Sequence, residues 1–388
     1  VKKIIYILIS KNMKKIFYWS PYIGKIATVK AVLNSAISIK KFSNYLNEVS
    51  IINCFGEWNL YKKIFLKQKI KEIVLQKKLK VSINSNGFIN SRLIYILSFF
   101  YLYFNLKKTL TSKKPDILII HLLTYIPLLL FINNNLKTKL YLRISGKPKL
   151  GILRKFLWKL ASKNIHKIFC PTVETKNDLI KSKIFPKNKV FFLPDPIISE
   201  QFKFKKKIEL INRFKIREKG YYLAIGRLSE QKNFKFLINS FSKNFKNSKL
   251  FILGEGELRY ELEKTIKQNF SKNIKLLGYK KNVIKYMNKA KAVIVPSLWE
   301  DPGFVMVEAA FNLTPLIVSD CPSGSKEFID KDKNGYLFKS NNEKSLIMKI
   351  NKFEKDKTII VKKKIKNALD KSLNYTDINH YRLLKKFI

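Results

Sequence analysis

Short apolar runs alternating with longer amphipathic stretches, from Met13 onward, constrain the fold of this chain more than any other feature. A strand covered by helices on both faces is apolar on both sides, and reaching a parallel neighbour takes a crossover of a dozen or more residues. The rhythm therefore predicts parallel sheets with crossover helices, an α/β fold. Strands are expected over 16–19, 49–53, 116–121, 139–143, 167–170 and 189–193. In the first crossover, Val32, Ala36 and Ile39 recur at i, i+4 and i+7, which predicts one buried helix face. After a polar, charged stretch over 199–219, a second cycle gives strands over 221–225, 249–253, 274–277, 292–296 and 316–319. Two Rossmann-like halves follow, one over 1–200 and one over 201–370. In such sheets ligands sit beyond the carboxyl ends of the strands, so two halves facing each other would form one interdomain cleft. Met13-Lys14-Lys15 reads as a second beginning, which leaves residues 1–12 as an extension.

Composition decides between a folded and an unfolded chain. Of 388 residues, 46% are hydrophobic and 13% aromatic, far from the make-up of disordered sequences despite a formal net charge of +51. Such a charge suggests nucleic acid or an anionic membrane as partner. However, the cations are almost all lysine, with eight arginines, and lysine, Ile, Asn and Phe share A/T-rich codons. Base composition accounts for much of the charge, and a duplex reader would use more of the bidentate arginine. A nucleic-acid-binding protein is thus the rival reading, not the favoured one. Cys54, Cys170 and Cys321 are widely spaced and odd in number, which speaks against a disulfide framework and for a reducing compartment. His121, His166 and His380 are scattered, so no metal-ligand cluster is expected, and His166 beside Lys163 and Lys167 reads as surface. The apolar run over 4–9 is too short for a secretory signal, and that over 93–106 is below spanning length and reads as a core helix.

The most informative stretch runs from Val295 to Ala310. A strand ends at Pro296, a turn carries Glu300, Asp301 and Gly303, and a helix begins near Phe304. Free amides at a helix start bind anions, and Gly303 lets a phosphate approach the backbone. Glu300 and Glu308 lie eight positions apart, about 12 Å along a wholly helical path. Two carboxylates around an anion site suit a nucleotide sugar, which has diols on either side of a pyrophosphate. In Gly226-Arg227-Leu228-Ser229-Glu230-Gln231-Lys232, a strand-ending glycine precedes two cations. They are the expected partners for charge growing on a departing diphosphate, without a metal. Gly254, Gly256 and Gly278-Tyr279 also follow strands, where glycine permits close approach of a base or ribose. At the amino-terminal side Gly24 follows the first strand, His121 and Arg143 end later strands, and Glu57 and Trp58 lie in a loop after Phe55-Gly56. Arg143, Glu57 and Trp58 are candidate acceptor contacts. Asp330-Lys331-Asp332 mimics a metal-binding DxD but precedes Asn334-Gly335, and reads as a turn.

Gly226-Arg227-Leu228 with Lys232-Asn233, Leu253-Gly254-Glu255-Gly256, and Glu300 to Glu308 followed by Ala309, in this order, resemble the family 4 retaining glycosyltransferases of the GT-B fold. The likeness covers the second half and is looser in the first, where Trp19-Ser20-Pro21 to Ala31-Val32-Leu33-Asn34-Ser35 looks like bacterial surface-polysaccharide members. The resemblance implies transfer of a hexosyl-type sugar from a nucleotide-sugar donor to a saccharide or lipid-linked acceptor, with retention and without cofactor or metal. It implies that Glu308 holds the ribose diol, Glu300 the sugar hydroxyls, and Arg227 with Lys232 the diphosphate. It also implies His121 near the donor sugar, Gly24 as the glycine-loop contact, and a last helix within 371–388 that crosses back to the first domain, while Gly303 and Phe304 are candidate donor contacts from the helix start itself. Where the family usually has paired small residues, Ile23 precedes Gly24. The expected setting is the cytoplasm, peripheral on the inner face of an anionic membrane, in O-antigen, capsule or lipopolysaccharide synthesis. The rival enzyme reading is a nucleotide-sugar epimerase of the same fold.

Overall fold

In the computed structural model, the structure describes residues 13–22, 27–75, 98–146, 148, 150–199, 211 and 220–388. Gly24, the segment 1–12 and most of the stretch 199–219 lie outside them. The chain divides into two compact units, Val1–Pro196 with Asp377–Ile388, and Ile197–Thr376.

The first unit holds a seven-stranded parallel sheet in the order β3-β2-β1-β4-β5-β6-β7. Its strands are β1 Lys15–Trp19, β2 Glu48–Asn53, β3 Lys71–Val74, β4 Ile117–Ile120, β5 Lys139–Arg143, β6 Ile165–Cys170 and β7 Val190–Phe192. Successive residues of each central strand feed opposite cores. Phe17, Trp19, Leu118 and Ile120 pack with the helices Phe99–Lys113, Tyr125–Asn133 and Ile152–Ala161 on one face. Ile16, Tyr18, Ile117 and Ile119 pack with the helix Ala27–Phe42 on the other. Val32, Ala36 and Ile39 are fully or nearly fully buried there, as their spacing predicts. The apolar run over 93–106 contributes to the helix Phe99–Lys113, which buries Leu102, Leu106 and Leu110 at i, i+4 and i+8; residues 93–97 lie outside the described set. No described helix is long and apolar enough to cross a membrane.

The second face of this unit is completed from far along the chain. The helix Asp377–Leu384 packs on Ala27–Phe42. Inside that contact the His380 Nδ1–H donates to the Pro194 carbonyl at 2.7 Å, and Nε2 lies 2.8 Å from the Ser35 hydroxyl, which is 2.7 Å from the Tyr18 hydroxyl.

The second unit is a six-stranded parallel sheet in the order β10-β9-β8-β11-β12-β13. Its strands are β8 Tyr221–Ile225, β9 Lys249–Leu253, β10 Ile274–Leu276, β11 Ala290–Val295, β12 Leu316–Ser319 and β13 Tyr336–Phe338. The strand order reverses between β8 and β11, the place where doubly wound sheets take ligands. The apolar runs YYLAI, KLFIL, AKAVIV and LIVS are the central strands, nearly all of whose apolar side chains join one core. Two parallel sheets with crossover helices are the α/β, GT-B class that the sequence predicts.

Candidate functional site

Three loops at the carboxyl ends of β8, β11 and β12 are stitched into one surface. The Leu298 amide donates to the Gln231 carbonyl at 2.8 Å, and the Gln231 side chain donates to the Trp299 carbonyl at 2.9 Å. The Glu300 amide donates to the Pro322 carbonyl, while the amides of Ser323 and Gly324 donate to the Glu300 carbonyl, all within 2.8–2.9 Å. The Glu300 backbone is therefore fixed on both sides. Its carboxylate is 5% exposed and receives the Lys232 ammonium at 2.5 Å and the Ser297 hydroxyl at 2.6 Å on the same oxygen. Burying a carboxylate requires such partners. Lys232 reaches it with its aliphatic stem laid over Gly226, where a Cβ would stand 3.1 Å from that stem.

The glycines have a more specific reason than ligand approach. A Cβ at Gly254 would lie 1.8 Å from the Gly226 carbonyl oxygen, and one at Gly256 would lie 2.4 Å from the Leu228 carbonyl oxygen. The loop after β9 is pressed against the loop after β8, and the Leu228 amide bonds to the Glu255 carbonyl at 3.0 Å. These positions are glycine because protein backbone fills the space, a signal that the sequence carries without its cause.

Arg227 is held loosely. Its side chain is 61% exposed and pairs with Glu257 at 3.0 Å, itself 54% exposed. An exposed pair of this kind contributes about 0–1 kcal/mol, so an incoming dianion can take the guanidinium at small cost. Gly303 has φ +87° and starts the helix Phe304–Phe311, which no side chain caps and whose first turn carries no acidic residue. Its leading amides and dipole suit an anion. Glu308 lies half-buried one turn into this helix. Because the helix begins only at Phe304, the separation of 12 Å expected from a wholly helical path between Glu300 and Glu308 does not apply. Tyr279, 64% exposed, follows β10. Asp332 accepts the Leu337 amide and pairs with Lys349, so the Asp330–Asp332 segment is a closed turn.

Arg227, Lys232, Glu300, Gly303, Phe304, Glu308, Gly226, Gly254, Gly256 and Tyr279 thus share one unit, at or just beyond strand ends. His121, Arg143, Glu57 and Trp58 belong to the other. His121 directly follows β4, and its amide donates to the Trp19 carbonyl. The ring is 7% exposed and its Nδ1 has no partner among the described residues. It lines a small, largely apolar cavity that Arg143, Asp195, Ser35 and His380 also border. Burial, then Arg143 and His380, hold its pKa well below the ordinary imidazole range, so the ring is neutral.

Three expected acceptor contacts are corrected. Arg143 is 3% exposed and spends its guanidinium on Asp195 and on the Leu193 carbonyl, each at 2.5 Å. Glu57 is 6% exposed and accepts the amides of Cys54 at 3.1 Å and Phe55 at 2.6 Å, closing its own loop. Trp58 is fully buried among Tyr22, Tyr61 and Phe65. Residues that sequence reasoning missed are Ser297, the Pro322–Ser323 turn that carries Glu300, and Asp195 with its buried arginine. The turn had a signal, Cys321-Pro322-Ser323-Gly324 directly after an apolar strand. The pairing of Asp195 with a residue 52 positions away had none.

The buried histidines predict an acid-sensitive fold. Burial pushes the His380 pKa down from 6.5 to about 3 and that of His121 in the same direction, so below pH 6.5 the unfolded chain binds protons that the folded one refuses. Stability then rises with pH, by up to about 1.4 kcal/mol per pH unit for each group. Glu57 opposes this: burial raises its pKa from 4.5 to about 7, and its contribution is lost as pH rises through that range. Partial cancellation is expected between pH 4.5 and 6.5 and a steeper loss below 4.5. Urea unfolding from pH 7 to 4 checks this, and a midpoint independent of pH would refute it.

Residues 206–371 match the family described as Glycosyl transferases group 1. An uncharacterized glycosyltransferase of Methanocaldococcus jannaschii is 30% identical over 254 residues, 60% of this chain and 62% of that one. The chain thus spans less than two thirds of that relative. An undecaprenol-linked saccharide alpha-1,4-N-acetyl-D-galactosaminyltransferase of Campylobacter jejuni is 26% identical over 338 residues, 84% of this chain and 88% of that one. Among solved structures, a glycosyltransferase from Rickettsia africae superposes with TM-score 0.70 at 15% identity, covering 97% of each chain. Anabaena HepE in complex with UDP-glucose gives TM-score 0.69 at 15% identity, covering 96% and 98%. At these identities the structural likeness shows the fold.

Proposed function

We propose that this chain, whose second unit carries a glycosyl transferases group 1 domain, is a metal-independent retaining glycosyltransferase that elongates a lipid-linked saccharide. The carrying observation is the Lys232–Glu300–Ser297 cluster set beside an uncapped helix start, with a loosely paired arginine on the neighbouring loop. A nucleoside diphosphate sugar supplies a dianion for Arg227, Lys232 and the amides of the helix Phe304–Phe311. Glu308 takes the ribose hydroxyls, and the Gly303 turn with Glu300 faces the sugar. The positive charge opposite the diphosphate comes from the protein itself, which is the basis for metal independence. As the bond between the anomeric carbon and the phosphate oxygen breaks, its electron pair stays on the phosphate. That oxygen takes the proton of the acceptor hydroxyl, which bonds to the same face of the sugar. Retention then needs no carboxylate nucleophile, and the protein contributes position and charge.

The Campylobacter relative's undecaprenol-linked substrate supports a membrane-borne acceptor. The proposed setting is the cytoplasmic face of an anionic membrane, in cell-surface polysaccharide synthesis. A donor panel with a saccharide acceptor tests the reading: nucleoside diphosphate should be released only when the acceptor is present, and the new linkage should keep the donor's anomeric configuration. Inversion, or interconversion of donors without acceptor, would overturn it.

Glu308→Ala is expected to weaken donor binding by roughly 10- to 100-fold, the size of one hydrogen bond to a charged group. Arg227→Ala should slow transfer by about a hundredfold, while moving the urea midpoint little, since its ion pair is exposed. Isothermal titration with the donor and steady-state kinetics separate the two, and wild-type constants in both variants would defeat the site.

A further inference from the structure

We infer that the outer face of the helix Ile152–Ala161, extended by the helix Phe99–Lys113, is the surface by which this chain inserts into an anionic lipid bilayer. The inference deepens the proposed function, resting on its membrane-borne acceptor, and assigns the contact to particular side chains.

The helix Ile152–Ala161 has two apolar faces. Trp158 and Ala161 are buried against the sheet and Leu157 packs beside them. Ile152, Leu153, Phe156 and Leu160 point the other way, 87%, 86%, 65% and 49% exposed. At 3.6 residues per turn these four fall within an arc of about 100°. A helix serving only the core would carry polar residues there. Lys155 and Lys159 border the arc and are themselves exposed. Two helices along the same layer, Phe99–Lys113 adds Phe100 and Phe104, 70% and 62% exposed at i and i+4, followed by exposed Lys107 and Lys108. Tyr125–Asn133 packs against both, and all three helices cover the same face of the sheet.

Charge selects the occupant. Across residues 99–164 there are 13 Lys and Arg and one carboxylate, Asp116, whereas the whole chain has 78 against 27. Asp116 is already engaged by the Lys15 amide at 2.7 Å. Cations are as dense there as in the whole chain, about one residue in five, and Arg143 is buried on Asp195; what sets the segment apart is the scarcity of carboxylates that would offset its exposed lysines. Aliphatic side chains rimmed by lysines match a bilayer, in which the apolar arc enters the acyl boundary and the ammonium groups stay with anionic headgroups. A second copy docking by the same face would bring the same cations together. Nucleic acid offers nothing to Ile152 and Leu153, which have no ring to stack on bases.

The test is co-sedimentation of the full chain with vesicles of phosphatidylcholine, alone or with one third phosphatidylglycerol. Binding is expected to the mixed vesicles and to persist in part at about 0.5 M salt, where the Debye length is only a few ångströms and diffuse attraction fails. A Leu153→Asp, Phe156→Asp variant should lose roughly tenfold or more in partitioning, and Lys155→Glu, Lys159→Glu should lose the preference for anionic vesicles. Both changes are on exposed positions, and the urea midpoint verifies folding. Wild-type partitioning by the Asp variant, binding wholly abolished by salt, or a salt-stable dimer broken by the same substitutions would overturn the inference. Transfer to a water-soluble acceptor should be unchanged in the Asp variant. Its absence in the wild type would instead count against the proposed function, while vesicle binding still reports on the surface.

Discussion

Glu300→Gln is expected to lower kcat for sugar transfer by about 10²–10³, the loss typical of removing one preorganised electrostatic group, with the donor KM unchanged or lower. Glutamine keeps the volume and an oxygen for the Ser297 hydroxyl, so the loop retains its shape. What disappears is the negative partner of Lys232. In the wild type the carboxylate holds that ammonium at 2.5 Å, at a fixed place beside the β8 loop. Without it the ammonium is free to follow ground-state phosphate oxygens, which strengthens binding and weakens discrimination in favour of the transition state. Breaking a buried ion pair by removing one partner costs about 3–5 kcal/mol. Here Lys232 retains 18% exposure and can recruit water, so a smaller loss of stability is expected. A cycle with Lys232→Ala is the decisive measurement. Strong non-additivity in kcat would show the pair working as a unit. Full activity in folded Glu300→Gln would reduce the carboxylate to a latch between loops.

Gly254→Ala should be the most damaging single methyl group in the second unit. Its φ of +145° is unfavourable for any L side chain, and the added Cβ would sit 1.8 Å from the Gly226 carbonyl oxygen, a backbone atom that cannot swing away. Relief requires the β8 and β9 loops to part, which breaks the Gly226 amide bond to the Leu253 carbonyl and the Leu228 bond to Glu255. A loss of about 3 kcal/mol or more is expected. Because Arg227 and Lys232 ride on the displaced loop, donor binding should fall as well. Gly146→Ala is the matched control: nothing lies within 4 Å of its Cβ and its φ is not positive, so its urea midpoint should barely move. Equal midpoints for the two variants would disprove the packing account.

What could be read from the sequence follows from where each signal resides. Strands buried on both faces, such as KIFYW, YYLAI and AKAVIV, announce themselves as continuous apolar runs. The edge strands β3 and β13 do not. KEIV is half-exposed and charged, and YLF has only three residues. In the second unit the candidate site is built from segments that each follow a strand, so spacing along the chain carried most of it. The first unit defeated the same reasoning. Arg143 also ends a strand, but Asp195 neutralises it from 52 residues away, and Trp58 turns inward on a ring cluster that no periodicity reveals. The bond between Ser35 and His380 spans 345 positions.

That last contact bears on the order in which the protein can be made. Residues 13–196 leave the ribosome with the Pro194 carbonyl and one flank of Ala27–Phe42 still uncovered, and the whole intervening unit must be translated before residue 380 emerges to close them. The earlier-synthesised unit is therefore the later to be finished, and a nascent chain halted anywhere in between leaves an apolar flank open to chaperones and proteases.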